Sequence, residues 1–440
     1  MCSFLLTTKD VENLPQINRL LQLRGPDSTN IKNINGITFL HNLLSITGAW
    51  TSQPLLEDDV VVLFNGEIYN FDGFDNDTKC LIPLYKEYGE QFTKLLDGEF
   101  ALALVDFNKR ILLISTDTFK TKPLFFSINS QDIGIASYAD PLYKLGFTDI
   151  KKCAANTTFV FDLKTKQLLR SFANFEFNLD QYKTDFDDWA IAFSESIKKR
   201  AKTNIREKIF IGLSSGYDSG AIACEMHKLK VPFQAYTHVG HENKKILAER
   251  YDVLKNTTRI DQYTVRPEDL DLAHQFIVRN TDSFVYTIRS DSSSYNEFNL
   301  KLVDDNGSNQ FSYLCAKAKS VGLKIHISGA GADELFSDYG FGGKSKYPHS
   351  NFGGLFPKDL NTVFPWASFY GSSMESYLAK EEYVGGAYGI ESRYPFLDKK
   401  VVQEFLWISQ ELKNRHYKSV LHHYLTINKF PFEVEEKIGF

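Results

Sequence analysis

An apolar run, Ile209-Phe210-Ile211-Gly212-Leu213, passes directly into Ser214-Ser215-Gly216-Tyr217-Asp218-Ser219, and a helical pattern follows at Ala221–Leu229. A strand that is apolar on both faces needs cover on both, which predicts the interior of a parallel sheet. Further runs at Phe233–Thr237 and Ile325–Ile327 alternate with helical stretches, the first of them Asp185–Lys202. The alternation predicts an α/β domain with a doubly wound parallel sheet.

The chain before it reads differently. Ile37–Leu40, Val60–Phe64, Ala101–Val105, Ile111–Ser115 and Leu124–Ser127 are β-branched or aromatic runs, punctuated by Asn35-Gly36, Asn65-Gly66 and Asp97-Gly98. Strands with tight turns and few helices between them, here Val11–Leu23 and Thr78–Tyr88, predict an α+β antiparallel sandwich with helices outside. The chain has 440 residues, more than the ~250–300 at which one core stops growing. The expected division is a first domain over 2–165, a linker over 166–184 and a second domain over 185–440. Ser290–Asn309 is polar and reads as a surface insertion, and Gly340–Gly354 as a mobile Gly-rich segment.

The turn after Leu213 has a chemical use. Small residues let successive backbone N–H groups face one anion, and the following helix N-terminus adds positive potential. Ser214 and Ser219 can donate hydroxyl hydrogen bonds. Asp218 suits a phosphate site only with Mg²⁺ between the negative charges. A plain strand–turn–helix has the same composition, and the Lys-Ser/Thr of the Walker loop is missing. The pattern returns at Ile325-His326-Ile327, which leads into Ser328-Gly329-Ala330-Gly331-Ala332-Asp333. Asp333 can be a first-turn carboxylate stabilised by the helix dipole, or a second metal ligand. Two such turns on one sheet point to Mg-ATP.

Cys2 follows the initiator methionine. Removal of Met1 would leave a residue that carries both a thiol nucleophile and, in its α-amine, a base titrating near ~7.7–8.0. An ordinary N-terminal cysteine looks the same. The five cysteines are scattered with no CxxC pair, which disfavours a disulfide framework or zinc site and fits a reducing, cytoplasmic setting. There is no signal-peptide pattern and no run of 18 apolar residues. A net charge of −5 gives no reason to expect a nucleic-acid partner.

These motifs, in this order, resemble the glutamine-dependent asparagine synthetases and their relatives over nearly the whole chain. The first domain resembles a class II glutamine amidotransferase of the Ntn-hydrolase type, through Cys2, Arg24-Gly25-Pro26-Asp27, Asn65-Gly66-Glu67-Ile68-Tyr69-Asn70, Asp77-Thr78 and Asp97-Gly98-Glu99-Phe100-Ala101. The second resembles an ATP pyrophosphatase-type synthetase domain, through Ser214–Ser219, Tyr286-Thr287-Ile288-Arg289, Ser328–Phe336, Glu391–Asp398 and Tyr417-Lys418-Ser419. The resemblance implies that Cys2 attacks the glutamine amide and that Asn65 and Gly66 form the oxyanion hole. It implies that Asp77, with Arg24 and Glu67, binds glutamine, and that the ammonia released travels inside the protein. It further implies that Ser214, Ser215, Gly216, Tyr217, Asp218, Ser219, Ser328 and Gly329 hold ATP and pyrophosphate, and that Asp218 and Asp333 hold Mg²⁺. Lys418 would neutralise the acyl-adenylate, and Thr287 and Arg289 would meet the acceptor. Members of the family often pair, so a homodimer is an expectation from the resemblance alone.

The chain also departs from the pattern. Leu43 stands where the family has an arginine for the glutamine carboxylate, and Ala330 where asparagine synthetases have a glutamate. Ser215 replaces a glycine, and Thr116 and Lys120 replace an arginine and a glycine before Lys122-Pro123-Leu124. The sequence stops at Phe440 where relatives continue, which suggests a compact version of the fold. The leading expectation is amidation of aspartate. Adenylation of another carboxylate (a sugar uronate, a peptide, a specialised metabolite) and a catalytically decayed binding protein are the alternatives.

Overall fold

The computed structural model describes residues 2–202, 209–240, 242–289 and 297–434. Two compact units make up the chain. The first is Met1–Glu176 with Arg279–Ser283 and Glu382–Glu391. The second is Phe177–Val278, Phe284–Glu381 and Ser392–Phe440.

In the first unit, period-2 runs pair into two six-stranded sheets. One has the order Lys151–Lys152, Phe125–Ile128, Ile133–Ala136, Ser3–Thr7, Ile37–Leu43, Ser28–Ile34. The other has the order Leu168–Ala173, Thr157–Asp162, Ile111–Thr116, Gly98–Asp106, Val60–Ile68, Leu55–Glu57. The pairings are antiparallel. Phe4, Leu6 and Phe39 of one sheet and Val61, Leu63 and Ile114 of the other share one buried cluster, so the sheets lie face to face. The outer face of the second sheet, with Val62, Phe64 and Leu102, is covered by Leu81, Tyr85 and Phe92. Helix Leu14–Arg24 packs on the first sheet. Each such side chain taken fully out of water contributes roughly 1.5–3 kcal/mol. The expected antiparallel sandwich with outer helices is the observed architecture.

The expected linker begins as a strand. Leu168–Ala173 pairs with Thr157–Asp162 and closes one edge of the second sheet. Its residues are mostly exposed, so it lacks the half-buried alternation that marks a strand in sequence.

The second unit is built on a five-stranded sheet in the order Arg259–Tyr263, Gln234–His238, Ile209–Gly212, Ile325–Ile327, Glu391–Arg393. Ile209–Gly212 runs parallel to Gln234–His238 and to Ile325–Ile327, and Gln234–His238 parallel to Arg259–Tyr263. From Ile209–Gly212 the chain proceeds outward on one side, then returns to add Ile325–Ile327 on the other. This reversal opens a crevice at the strands' carboxyl ends, the usual ligand position in such sheets.

One loop expectation is corrected by the structure. Residues 290–296 of the expected insertion lie outside the described residues. Beyond them Glu297–Lys301 pairs antiparallel with Val285–Arg289. A helix spans Asn306–Ser320, capped by Asp305, whose side chain accepts from the Gly307 N–H at 3.0 Å. The polarity that suggested a loop is partly a helix cap. The glycines of Gly340–Gly354 divide: a Cβ on Gly354 would lie 2.1 Å from the Gly340 carbonyl oxygen, while one on Gly342 would meet nothing within 4 Å. Asp338, just before this segment, is buried and accepts from Ser350 Oγ and from the Asn351 and Phe352 N–H groups.

Candidate functional sites

In the first unit Cys2 immediately precedes the strand Ser3–Thr7 of the first sheet. Its backbone N–H donates to Asn65 Oδ1 at 2.9 Å, and its carbonyl accepts from Arg24 Nε at 2.9 Å. Asn65 is fully buried, and among the described residues its Nδ2 has no hydrogen-bond partner. A buried donor left unmet costs roughly 1–3 kcal/mol. Such a group beside a candidate nucleophile is suited to an oxyanion. Gly66 follows at φ 143°, and a Cβ there would lie 1.9 Å from the Glu99 carbonyl oxygen, so only glycine fits. The Cys2 thiol lies 3.9 Å from the Leu44 carbonyl oxygen, and burial raises its pKa to about 11. At neutral pH it is a thiol that needs a base.

Asp77 is buried, and its carboxylate accepts from the Ile68 N–H at 3.0 Å and the Thr78 N–H at 2.9 Å. Glu67 is buried on the Asn65 strand. Leu43 ends the strand Ile37–Leu43 as a buried apolar side chain and brings no charge. Arg24 does not take over its task. The guanidinium is fully buried, ion-paired with Glu382, and donates from Nη1 to Tyr138 Oη at 3.1 Å and the Glu382 carbonyl oxygen at 2.7 Å. Glu382 also accepts from Lys122 Nζ at 2.8 Å. The expected glutamine-binding role of Arg24 is therefore corrected: it is an interior cation that fixes the Cys2 main chain. Glu382 and Tyr138 carry no signal in the sequence, because nothing local links positions so far apart along the chain.

The second unit places a cavity of about 200 Å³ in the crevice of its sheet, lined by Ser214, Asp218, Ser219, Ser328, Gly329 and Asp333 among others. Ser214 and Ser219 join their hydroxyls at 2.9 Å, and the Ser214 N–H donates to Ser219 Oγ at 3.1 Å. Of the six expected cradle residues, Ser214, Asp218 and Ser219 line the cavity. The Ser215 N–H donates to Glu242 at 2.6 Å, and its hydroxyl donates to the same carboxylate. The Gly216 N–H donates to Ser214 Oγ at 3.2 Å, and its carbonyl accepts from Arg250 Nη2 at 2.8 Å. Tyr217 is buried against Tyr417 and Phe432. Arg250 thus braces the loop from behind, also donating to the Ser214 carbonyl oxygen. A Cβ on Gly220 would come within 2.3 Å of that guanidinium. Neither Glu242 nor Arg250 carried a sequence signal.

Lys418 is 3% exposed and holds φ 47°, a left-handed conformation that costs a non-glycine residue of order 1–3 kcal/mol. Its Nζ donates to Asp218 Oδ1 at 2.7 Å and Oδ2 at 2.8 Å, and lies 2.8 Å from Asp333 Oδ1. Burial opposes its charge, but Asp218 and Asp333 outweigh that and hold the pKa well above the usual lysine value. Tyr417 Oη donates to Asp333 at 3.0 Å. Two carboxylates from two strand ends thus converge on one cation beside the serine loop. Among the described residues no group of three or more His, Cys, Asp or Glu is arranged for a metal ion. A divalent cation at Asp218 and Asp333 would complete its shell with phosphate and water oxygens, as Mg²⁺ does in nucleotide sites. Thr287 and Arg289 occupy register positions opposite Asn299 and Glu297 in the hairpin.

Residues 1–176 match the family model described as a glutamine amidotransferase domain, and residues 188–364 the model described as asparagine synthase. The chain belongs to the glutamine-dependent asparagine synthetase family. It is thereby an ATP-dependent ligase. A putative glutamine-hydrolysing asparagine synthetase of Methanocaldococcus jannaschii is 26% identical over 423 residues, 87% of this chain and 72% of that protein. The asparagine synthetase of Triphysaria versicolor is 25% identical, over 90% of this chain and 67% of that protein. That of Gallus gallus is 25% identical, over 89% of this chain and 73% of that protein. Among solved structures, the glutamine phosphoribosylpyrophosphate amidotransferase from B. subtilis, complexed with ADP and GMP, aligns with 60% of this chain and 81% of that one at 12% identity and a TM-score of 0.33. That likeness is too loose to place any residue. Within the family, this member sets Ala330 in the cavity wall and Leu43 in the core of the amidotransferase unit.

Proposed function

We propose that the protein activates a carboxylate with ATP and amidates it with nitrogen from glutamine, the acceptor being the side chain of aspartate and the products asparagine, AMP, pyrophosphate and glutamate. The observation that carries this reading is the convergence of Asp218, Asp333 and Lys418 beside the Ser214 and Ser219 hydroxyls.

A carboxylate is a poor acyl donor because its leaving group would be hydroxide. Adenylation replaces that group with AMP. Mg²⁺ held by Asp218 and Asp333 would neutralise the phosphates, while the Lys418 ammonium, Ser214 and Ser219 position them and stabilise charge as pyrophosphate leaves. Ser328 and Gly329 border the nucleotide, and Thr287 and Arg289 meet the acceptor amino acid. In the amidotransferase unit, removal of Met1 makes the α-amine of Cys2 the base for its own thiol. The Asn65 Nδ2 and Gly66 N–H then receive the oxyanion, and Asp77 holds the glutamine ammonium.

All five cysteines are free and buried, which supports a reducing, cytoplasmic location. No helix among the described residues is long and apolar enough to cross a membrane. Small molecules are the expected partners, and pairing of two copies is carried over from the family.

A second reading keeps the adenylation and changes the acceptor, and Ala330 favours it, since a methyl group moves no protons. Pyrophosphate release with ATP, Mg²⁺ and glutamine, with and without aspartate, decides between them. Release triggered by aspartate, with Cys2→Ala needing added ammonium to make asparagine, is the expected result. Release triggered only by other carboxylates would replace the acceptor, and silence with all of them would sink the catalytic reading.

A further inference from the structure

Amide formation from an acyl-adenylate liberates a proton. The new N–C bond forms, the C–O bond to AMP breaks, and its electron pair leaves on the AMP phosphate oxygen. The nitrogen must then surrender one hydrogen. AMP is a weak base, and Ala330 offers no acceptor.

The carboxylates that line the cavity of the second unit are Asp218, Asp333, Glu334 and Glu381. Asp218 and Asp333 are both bound to Lys418. Glu334 accepts from the buried hydroxyl of Tyr339. Glu381 is placed differently. Its Oε1 accepts from Ser328 Oγ at 2.7 Å, and the same Ser328 Oγ accepts from the Ala330 N–H at 3.0 Å. One hydroxyl therefore separates this carboxylate from the main chain of residue 330. His326 Nδ1 lies 3.8 Å from Glu381 Oε2, and burial keeps that imidazole neutral by lowering its pKa to about 3. Tyr377, one helical turn earlier on Ser373–Ala387, lines the same cavity, so this face of the helix is turned to it.

We propose that Glu381 is the proton acceptor for the attacking nitrogen, standing in for the side chain that residue 330 lacks. This rests on the adenylation reading above. The proton passes from nitrogen to a Glu381 carboxylate oxygen as the C–O bond breaks, and from there to water. Ser328 orients the carboxylate and is a positioning residue.

The test separates the two half-reactions in the full chain. Carboxylate-dependent exchange of labelled pyrophosphate into ATP reads adenylation, and amide formation with ammonium chloride reads both steps. Glu381→Gln keeps the oxygen that meets Ser328 and loses the basicity. Exchange is expected to stay within about twofold of wild type while amide formation falls ~10²–10⁴-fold, the usual reach of general-base catalysis. Adding Ala330→Glu to Glu381→Gln is expected to restore part of the amide rate, which a merely structural role would not allow. Amide formation by Glu381→Gln at the wild-type rate, or an equal fall in both half-reactions, overturns the inference alone. Wild type without exchange for any carboxylate overturns the adenylation reading and this inference with it.

Discussion

The Cys2 N–H donates to Asn65 Oδ1 at 2.9 Å, and that single bond fixes which end of the amide remains for chemistry. With the oxygen engaged, Nδ2 is buried beside the cysteine with no partner among the described residues. Asn65→Ala is therefore expected to lower kcat for glutamine hydrolysis by ~10²–10³, the usual loss for one oxyanion donor. Amide formation from added ammonium should be unchanged. Steady-state kinetics with each nitrogen source check this, and an equal loss with both would assign Asn65 to folding.

Lys418 pairs with both Asp218 and Asp333. Lys418→Met is expected to lower pyrophosphate exchange by ~10²–10³-fold. Stability should also drop by ~3–5 kcal/mol, because the acids lose their buried partner. A denaturant melt in EDTA and again in excess Mg²⁺ tests the arrangement: if Asp218 and Asp333 are metal ligands, Mg²⁺ recovers part of the lost stability.

Glu242 holds the N–H and hydroxyl of Ser215 on the phosphate-loop turn. A carboxylate there repels incoming phosphates, with ~1 kcal/mol between unit charges 4 Å apart in water. Glu242→Gln keeps an acceptor for Ser215 and removes the charge. KM for ATP is expected to fall about fivefold with little change in kcat. A rise in KM would make Glu242 a brace of the loop.

Asp398 caps the helix Lys399–Trp407 and is buried between Arg200 and Lys199. Burial alone would raise its pKa, but the two cations overcome this and bring it to about 2. An unfolded aspartate titrates near ~3.9. The folded value is the lower one, so the unfolded chain binds more protons between these pH values. The stability Asp398 contributes is then complete above about pH 4 and is lost as pH falls toward 2. Asp398→Asn should flatten this part of the pH–stability curve and cost ~3–5 kcal/mol at pH 7. Urea melts from pH 2 to 7 measure both effects.

Local pattern was enough for much of the fold. Val60–Ile68, Gly98–Asp106 and Ile111–Thr116 are long central strands, and their hydrophobic runs announced them. Ser3–Thr7, the strand that carries Cys2 into the sheet, is only 5 residues long, too short for its pattern to mark it. The exposed edge strand Leu168–Ala173 reads as linker in sequence, because much of a strand's sequence signal comes from burial.

The sequence by itself determined the two sheet types and the family, since these depend on residue type, short-range order and spacing. It marked Cys2, Asn65, Asp218, Asp333 and Lys418 without saying what each one touches. Only the tertiary structure decided that Arg24 is an interior cation for Glu382, that Ser215 serves Glu242, and that Glu381 stands beside Ala330. Those are contacts between positions tens to hundreds of residues apart. Burial and charge pairing set their roles, and both are properties of the packed interior that no local stretch of chain possesses.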